Sequence, residues 1–114
     1  MHELSIALEI LDIVEREAVK HGAAVVKQVN LRIGDLSGVE TESLAFSFEA
    51  VKGEKELTRE TVLNIERLPV KIWCNPCGRE FDRAGPLVMC PRCESFDTKL
   101  LQGEEREIED IEID

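Results

Sequence analysis

Four cysteines arranged as two Cys-x-x-Cys pairs constrain this chain more than any other feature. The pairs are Cys74/Cys77 and Cys90/Cys93, with twelve residues between them. Each pair requires a tight turn that aims two thiolates at one point, and two such turns supply the four sulfurs of a closed tetrahedral zinc site. Gly78 follows the first pair and permits the positive φ that such a turn often needs. We therefore expect a structural Zn(II) ion held by four thiolates.

Two other uses of the four thiols compete with zinc. Disulfides need an oxidising compartment, and we expect no secretory segment because Glu9, Asp12 and Glu15 interrupt the first apolar stretch. An iron site of the rubredoxin kind uses the same thiolates, and the spacing alone does not separate it from zinc. A structural zinc site and the reducing cytoplasm are the expected combination. With four sulfur ligands the site would be closed and non-catalytic.

The charge and size of the chain exclude several classes of function. It has 24 acidic and 14 basic side chains among 114 residues, a net charge of −10. Such a chain repels phosphate backbones, so nucleic-acid binding is disfavoured. No apolar run approaches the length of a membrane span, and no nucleophile–base arrangement indicates an enzyme. Residues 69–100 are too few to bury a core, so metal binding has to stabilise them.

Apolar periodicity predicts an α+β fold: two helices on a small three-stranded mixed sheet, with an inserted four-cysteine zinc-ribbon module. The helices are expected at Leu4–His21 and Ser37–Val51, and the strands at residues 29–34, 63–66 and 108–113. Residues 53–60 are polar and are expected to form a surface loop. In the last strand Ile108 is out of phase with Ile111 and Ile113 by one residue, as a β-bulge would cause. The predicted domains are a body, residues 1–68 plus 101–114, and a ribbon, residues 69–100.

The chain begins Met1-His2-Glu3, which is a second possible metal site. A bulky second residue should leave Met1 in place, so a free amine, the His2 imidazole and nearby backbone amides would lie within chelating reach. Planar coordination by such nitrogens suits Ni(II) or Cu(II). A histidine at position 2 is incidental in most proteins, so this pattern alone is weak. The second histidine, His21, is expected at a helix end without a chelating role.

Three segments together resemble the HypA/HybF family of nickel chaperones for [NiFe]-hydrogenase maturation. They are Met-His-Glu-Leu-Ser at residues 1–5, Leu-Arg-Ile-Gly-Asp-Leu-Ser-Gly-Val-Glu at residues 31–40, and the two cysteine pairs. The resemblance implies that His2 is the principal ligand of a transported Ni(II), with the Met1 amine and the Glu3 backbone. It also implies that the zinc ligands are Cys74, Cys77, Cys90 and Cys93.

The same resemblance implies a carboxylate near the nickel from the loop before the second helix, where Glu40 is the nearest match. The residues themselves offer another reading, because Ser37-x-x-Glu40 ahead of an apolar run is a capping-box pattern. The carboxylate of Glu3 at a helix start also complements the helix dipole. We expect the Glu3 amide, not its side chain, to be the nickel donor.

The resemblance implies two partners: a HypB-type maturation GTPase and the [NiFe]-hydrogenase large-subunit precursor. The chain has no Gly-x-x-x-x-Gly-Lys-Ser/Thr loop, so nucleotide hydrolysis would belong to the partner. A zinc-ribbon adaptor that binds only proteins, with His2 incidental, is the alternative function. A nucleic-acid-reading ribbon is disfavoured because its basic and acidic side chains cancel. Exposed strand edges allow a weak homodimer.

Overall fold

The computed structural model describes residues 2–83 and 88–114. Two helices and six strands make up most of this part of the chain. They are α1 (Glu3–Lys20), β1 (Val26–Gly34), α2 (Thr41–Val51), β2 (Val62–Leu68), β3 (Lys71–Cys74), β4 (Arg79–Asp82), β5 (Thr98–Gln102) and β6 (Arg106–Ile113). Within the described ranges, neither helix has the length and apolar character that crossing a membrane requires.

The first sheet has the strand order β2-β1-β6 and carries both helices. Its central strand β1 runs parallel to β2, which follows it through α2, and antiparallel to β6. The predicted α+β fold with a three-stranded mixed sheet is therefore confirmed. Alternate residues of β1 are buried beneath the helices, as the sequence predicted: Val29, Leu31 and Ile33. Leu44 and Phe48 of α2 are completely buried in the same core.

The irregularity predicted in the last strand is present in β6. Asn30 of β1 lies opposite Asp110, whereas the next residue, Leu31, lies opposite Ile108. Glu109 is therefore an extra residue, as in a β-bulge, and both Ile108 and Ile111 pack against the core. The bulge allows isoleucines three positions apart to face the same side of the sheet.

The second sheet contains β3, β4 and β5 in the order β4-β3-β5, all antiparallel. Few side chains in the described part of this region are buried: Ile72 and Cys74 of β3, and Cys90 between β4 and β5, are each at most 2% exposed. Trp73, on the other side of β3 from Ile72, is only half-buried. The predicted ribbon is thus a small sheet whose buried residues include two of the four cysteines.

The two sheets meet where two glycines touch. The backbone carbonyl of Gly103, after β5, accepts a 2.7 Å hydrogen bond from the Leu36 N–H, just past the end of β1. Gly34 lies so close that a Cβ atom added to it would sit 2.1 Å from the Gly103 carbonyl oxygen. Only glycine fits at position 34 without a shift of this backbone.

One of the predicted boundaries is wrong. Helix α2 begins at Thr41 and not at Ser37, because Gly38 has a φ of +81° and the Ser37 hydroxyl accepts a hydrogen bond from the Val39 N–H. The segment of residues 53–60, expected to be a polar surface loop, is mostly exposed, but two short 3₁₀ turns (Lys52–Glu54 and Glu56–Thr58) overlap it and it contains the buried Thr58. Its hydroxyl donates to the Lys52 carbonyl, which satisfies the buried polar group.

Candidate metal centres

The four cysteines converge at one point of the second sheet. Their sulfur atoms all lie within 4.8 Å of one another, and no other such group of His, Cys, Asp or Glu occurs in residues 2–83 and 88–114. Cys74 Sγ lies 3.6 Å from Cys93 Sγ, and Cys77 Sγ lies 3.9 Å from Cys90 Sγ. A tetrahedral ion with metal–sulfur bonds of about 2.3 Å places its sulfurs about 3.8 Å apart. These two distances match those of a tetrahedral zinc–thiolate site.

The two cysteine pairs form turns of the same geometry. Gly78 N–H donates to the Cys74 carbonyl at 2.9 Å, and Glu94 N–H donates to the Cys90 carbonyl at the same distance. Both residues lie directly after the second cysteine of a pair and have positive φ, +64° at Gly78 and +60° at Glu94. The sequence indicated the first of these turns through its glycine. It gave no signal for the second turn, because the residue with the left-handed backbone there is a glutamate and not a glycine.

The turns are tied to each other on both sides of the cluster. Asn75, inside the first pair, donates a 3.1 Å backbone hydrogen bond to the Asp97 carbonyl. Its side-chain amide also donates to the Asp97 carboxylate at 2.9 Å. The Thr98 hydroxyl donates to the Val88 carbonyl at 3.1 Å, which closes the loop of the second pair. These contacts fix the two turns relative to one another and so hold the sulfurs together.

The thiols of the cluster differ in acidity. The backbone N–H of Cys93 is the main influence on Cys90 and lowers the pKa of that thiol to about 7. Hydrogen bonding with the Cys93 thiol, followed by burial, raises the pKa of Cys77 to about 12. Burial also raises the pKa of Cys74. A bound cation requires all four as thiolates, so metal binding displaces protons and strengthens as the pH rises.

His2 lies at the N-cap position of α1, and Met1 lies outside the described residues. The side chain of His2 is exposed and makes no hydrogen bond with the part of the chain that the structure describes. Its carbonyl accepts the first helical hydrogen bond, from the Ile6 N–H at 2.9 Å. The imidazole is therefore available to a ligand, although it begins a well-formed helix.

Glu3 and Glu40, far apart in sequence, meet at the starts of the two helices. The Glu3 carboxylate accepts a 3.1 Å hydrogen bond from the Glu40 backbone N–H, which lowers the pKa of Glu3. Glu40 is itself the N-cap of α2, and its carboxylate accepts from the Glu42 N–H at 3.2 Å. The capping box predicted between Ser37 and Glu40 is wrong, since Glu40 is the cap and not the third helical residue. Sequence reasoning also missed the Glu3–Glu40 bond, which joins segments 37 residues apart.

His21 ends α1, as expected. Its Nδ1 lies 2.9 Å from the Glu17 carbonyl oxygen, one turn earlier, and the residue is exposed. Such a histidine satisfies a carbonyl left open at the helix C-terminus.

The fold and the cysteine cluster define a small metal-binding α+β protein of the zinc-ribbon type. A family model described as "Hydrogenase/urease nickel incorporation, metallochaperone, hypA" matches residues 1–113. The chain belongs to the HypA family of nickel metallochaperones, as the sequence motifs predicted. Because this family consists of maturation factors, the prediction that the chain is not an enzyme is confirmed.

Named relatives and solved structures agree with this assignment. The hydrogenase maturation factor HypA of Chlorobium limicola is 40% identical, over 100% of this chain and 97% of its own length. That of Geobacter metallireducens is 37% identical, with 100% of both chains covered. The solution structure of the Ni metallochaperone HypA from Helicobacter pylori matches with a TM-score of 0.68 at 25% identity, covering 99% of this chain and 97% of its own.

Proposed function

We propose that this chain carries one Ni(II) ion on nitrogen donors at its N-terminus and delivers it in the cytoplasm during maturation of a [NiFe]-hydrogenase. The observation that supports this most is the exposed imidazole of His2 at the N-cap of α1, which makes no hydrogen bond within residues 2–83 and 88–114. The other proposed donors are the Met1 amine and the backbone amide nitrogen of Glu3. They form a nitrogen set of the kind that suits planar Ni(II).

The position of His2 places two backbone amides outside the hydrogen-bond ladder of α1. The first four N–H groups of an α-helix do not take part in its i→i−4 hydrogen bonds, so those of His2 and Glu3 are not needed to hold α1 together. Deprotonating them to bind a metal breaks no helical hydrogen bond. Their negative charge also offsets the repulsion between a cation and the positive end of the helix dipole. A helix start is thus a suitable place for an amide-ligated ion.

Glu3 and Glu40 have different proposed roles at this site. The Glu3 carboxylate accepts the Glu40 amide, so it orients the N-terminal backbone instead of facing the ion. The Glu40 carboxylate is used at one oxygen by the Glu42 N–H, at 3.2 Å. We place Glu40 near the nickel, where its other oxygen supplies negative charge and a possible fifth donor.

The charge of the molecule favours cation capture by the body. Four of the 24 acidic and five of the 14 basic side chains lie in residues 69–100, which leaves 20 acidic and nine basic groups in the body. A field of this sign raises the local concentration of divalent cations and speeds their association. The ribbon is close to neutral, so it does not compete for ions by charge.

We assign Zn(II) to Cys74, Cys77, Cys90 and Cys93, as a structural ion that stays in place while nickel is transferred. Four thiolates fill a tetrahedral site and leave no open position for exchange. The body and the ribbon then act as two domains with separate metals. Partners of the nickel-bearing body would be a HypB-type GTPase and the hydrogenase large-subunit precursor.

Two matched variants test the nickel site: His2→Ala and His21→Ala. Since only His2 is proposed as a donor, nickel titration of His2→Ala should show an affinity at least about a hundredfold lower. His21→Ala should bind as the unaltered chain does. Zinc content, measured by mass spectrometry of the native protein, should stay at one ion in both.

Adding Gly-Ser before Met1 tests the amine separately. It removes the amine from chelating reach but preserves every side chain, so nickel affinity should fall while zinc content stays constant. Equal nickel affinity in His2→Ala and the unaltered chain would favour the alternative, a zinc-ribbon adaptor without a delivery role. If nickel affinity falls in His2→Ala but not in the extended chain, the imidazole is a nickel donor and the terminal amine is not.

A further inference from the structure

An apolar groove runs along α1 on the side next to β6. It has a volume of about 620 Å³, and isoleucines from three elements form most of its floor: Ile6, Ile10 and Ile13 of α1, Ile33 of β1 and Ile108 of β6. Ile13 is 38% exposed at its rim although it faces a groove of apolar side chains. The helix pair therefore leaves part of the core accessible beside the last strand.

The strand next to this groove has a free edge. β6 pairs with β1 on one side, and no strand in residues 2–83 or 88–114 pairs with its other side. An extended segment laid along that edge would form backbone hydrogen bonds with β6, and its alternate side chains would point toward the helix face of the sheet. On that face they would enter the groove beside Ile108. Backbone pairing and apolar burial are thus available at the same place.

Charge determines what kind of strand this edge accepts. β6 contains four acidic side chains and one basic side chain. Pairing with β6 of a second copy would bring eight acids together against two bases, which is unfavourable for directly opposed strands. A strand rich in lysine or arginine would meet the opposite charge. Of the charged residues at the groove, Glu9 adds one acid to the four of β6, whereas Glu107 and Arg106 are already counted in that strand.

We propose that the groove and the β6 edge together form a docking site for an extended, basic segment of a partner protein, with apolar side chains at every second position. The segment extends the β2-β1-β6 sheet as a fourth strand. Its apolar side chains fill the groove, and its basic side chains face the acids of β6. This surface lies beside α1 and does not include the nickel donors or the cysteine cluster.

The probe is a blocked heptapeptide in which lysine and valine alternate, with a control peptide of the same composition in which the valines are contiguous. Its length suits the eight residues of β6. Calorimetry should detect binding of the alternating peptide to the full chain loaded with zinc, and at least about tenfold weaker binding of the control peptide. Equal binding of both peptides would show that only net charge drives the interaction, and this result would overturn the proposal.

Two neutral substitutions on one helix test the groove itself. Ile13→Gln alters the groove rim, whereas Val19→Gln alters a side chain that is 73% exposed and outside the groove. The first should weaken peptide binding about tenfold and the second less than twofold. Because both positions are at least partly exposed, both variants should fold, which circular dichroism checks. Equal affinities of the two variants would contradict the assignment.

Amide hydrogen exchange tests strand addition independently of any variant. Peptide binding should slow exchange at amides of β6 and leave the other sheet edge, β2, unchanged. Slowed exchange in β2 alone would place the peptide elsewhere and contradict the proposal. Concentration-dependent protection of β6 without peptide, together with a dimer in sedimentation, would identify a second copy as the occupant instead.

Discussion

The body and the ribbon of this protein are stabilised by different means. The body buries a cluster of eleven apolar residues between two helices and a sheet. In the described part of the ribbon, residues 69–83 and 88–100, the buried apolar residues are Ile72 and the two cysteines Cys74 and Cys90. Hydrophobic burial can hold the first structure, but we infer that this part of the ribbon, with one large buried aliphatic side chain, depends on a metal ion between its two cysteine turns. Side-chain packing therefore maintains the fold of the body, whereas we expect metal coordination to maintain the fold of the ribbon.

Removing zinc should have the largest effect, and it should destabilise the ribbon but not the body. A chelator, or Cys90→Ser, deprives the ribbon of a binding free energy on the order of 10 kcal/mol. Amides of β3, β4 and β5 should lose protection from hydrogen exchange, while α1, α2 and β1 keep theirs. Simultaneous loss in both parts would show that the body depends on the ribbon. Full retention in the ribbon would show that the ion is dispensable.

Phe48→Ala tests the contribution of side-chain packing to the stability of the body. Phe48 is fully buried in the body, and its truncation should lower the free energy of unfolding by about 3–5 kcal/mol. Phe46→Ala is the control on the same helix, because Phe46 is 76% exposed and should cost little. Urea denaturation followed by far-UV circular dichroism measures both. Zinc content should be unchanged in each native variant, and zinc loss in Phe48→Ala would mean that the two parts unfold together.

Gly34→Ala tests the contact between the body and the ribbon. The added methyl would overlap the Gly103 backbone carbonyl, so the junction has to shift, and a cost of about 1–3 kcal/mol is expected. Gly53→Ala is the control, since a Cβ there meets no atom within 4 Å. Thermal unfolding compares the two variants. Equal stability of both would show that the contact between Gly34 and Gly103 is looser than the structure indicates.

The two cysteine turns allow a smaller, paired test within the ribbon. Gly78→Ala places a Cβ at a φ of +64° and should weaken zinc binding by about 1 kcal/mol, roughly fivefold. Glu94→Gly removes the side chain from a φ of +60° and should leave zinc affinity equal or slightly higher. Competition with a chromogenic chelator measures both. Weaker binding in both variants would show that the Glu94 side chain has a stabilising role of its own.

The smallest effect is expected from an ion pair on the body surface. Lys55 donates to the Glu15 carboxylate, and this contact raises the pKa of Lys55. A raised lysine pKa means that the pair stabilises the fold below the ordinary lysine pKa of about 10.4, and that this contribution is lost as the pH rises through the folded value. Lys55→Gln should therefore be slightly less stable at pH 8, with the difference vanishing at higher pH. A difference that persists would indicate packing by the lysine stem.

The predictable parts of the structure are those encoded by local patterns. Alternation in Val29, Leu31 and Ile33 predicted β1, and the phase change at Ile108 predicted the bulge at Glu109. The cysteine spacing predicted the cluster, because two residues between a pair of ligands restrict the chain to a tight turn that brings both sulfurs together. In each case neighbouring residues carry the whole signal.

The parts that escaped prediction depend on distant residues or on hidden backbone conformations. The Glu3–Glu40 hydrogen bond and the contact between Gly34 and Gly103 arise only when separate segments meet. Thr61 reads as polar, yet its side chain is buried because its hydroxyl donates to the Val26 carbonyl at 2.7 Å. The type of a residue does not show which distant group it will contact in the folded chain.

X-ray absorption at the nickel and zinc edges identifies the atoms that surround each ion. The chain would be loaded with one equivalent each of Zn(II) and Ni(II). We expect nickel to have only nitrogen and oxygen neighbours, including an imidazole, and zinc to have four sulfur neighbours at about 2.3 Å. Sulfur around nickel, accompanied by loss of sulfur around zinc, would contradict the proposed division between an N-terminal carrier site and a structural ribbon.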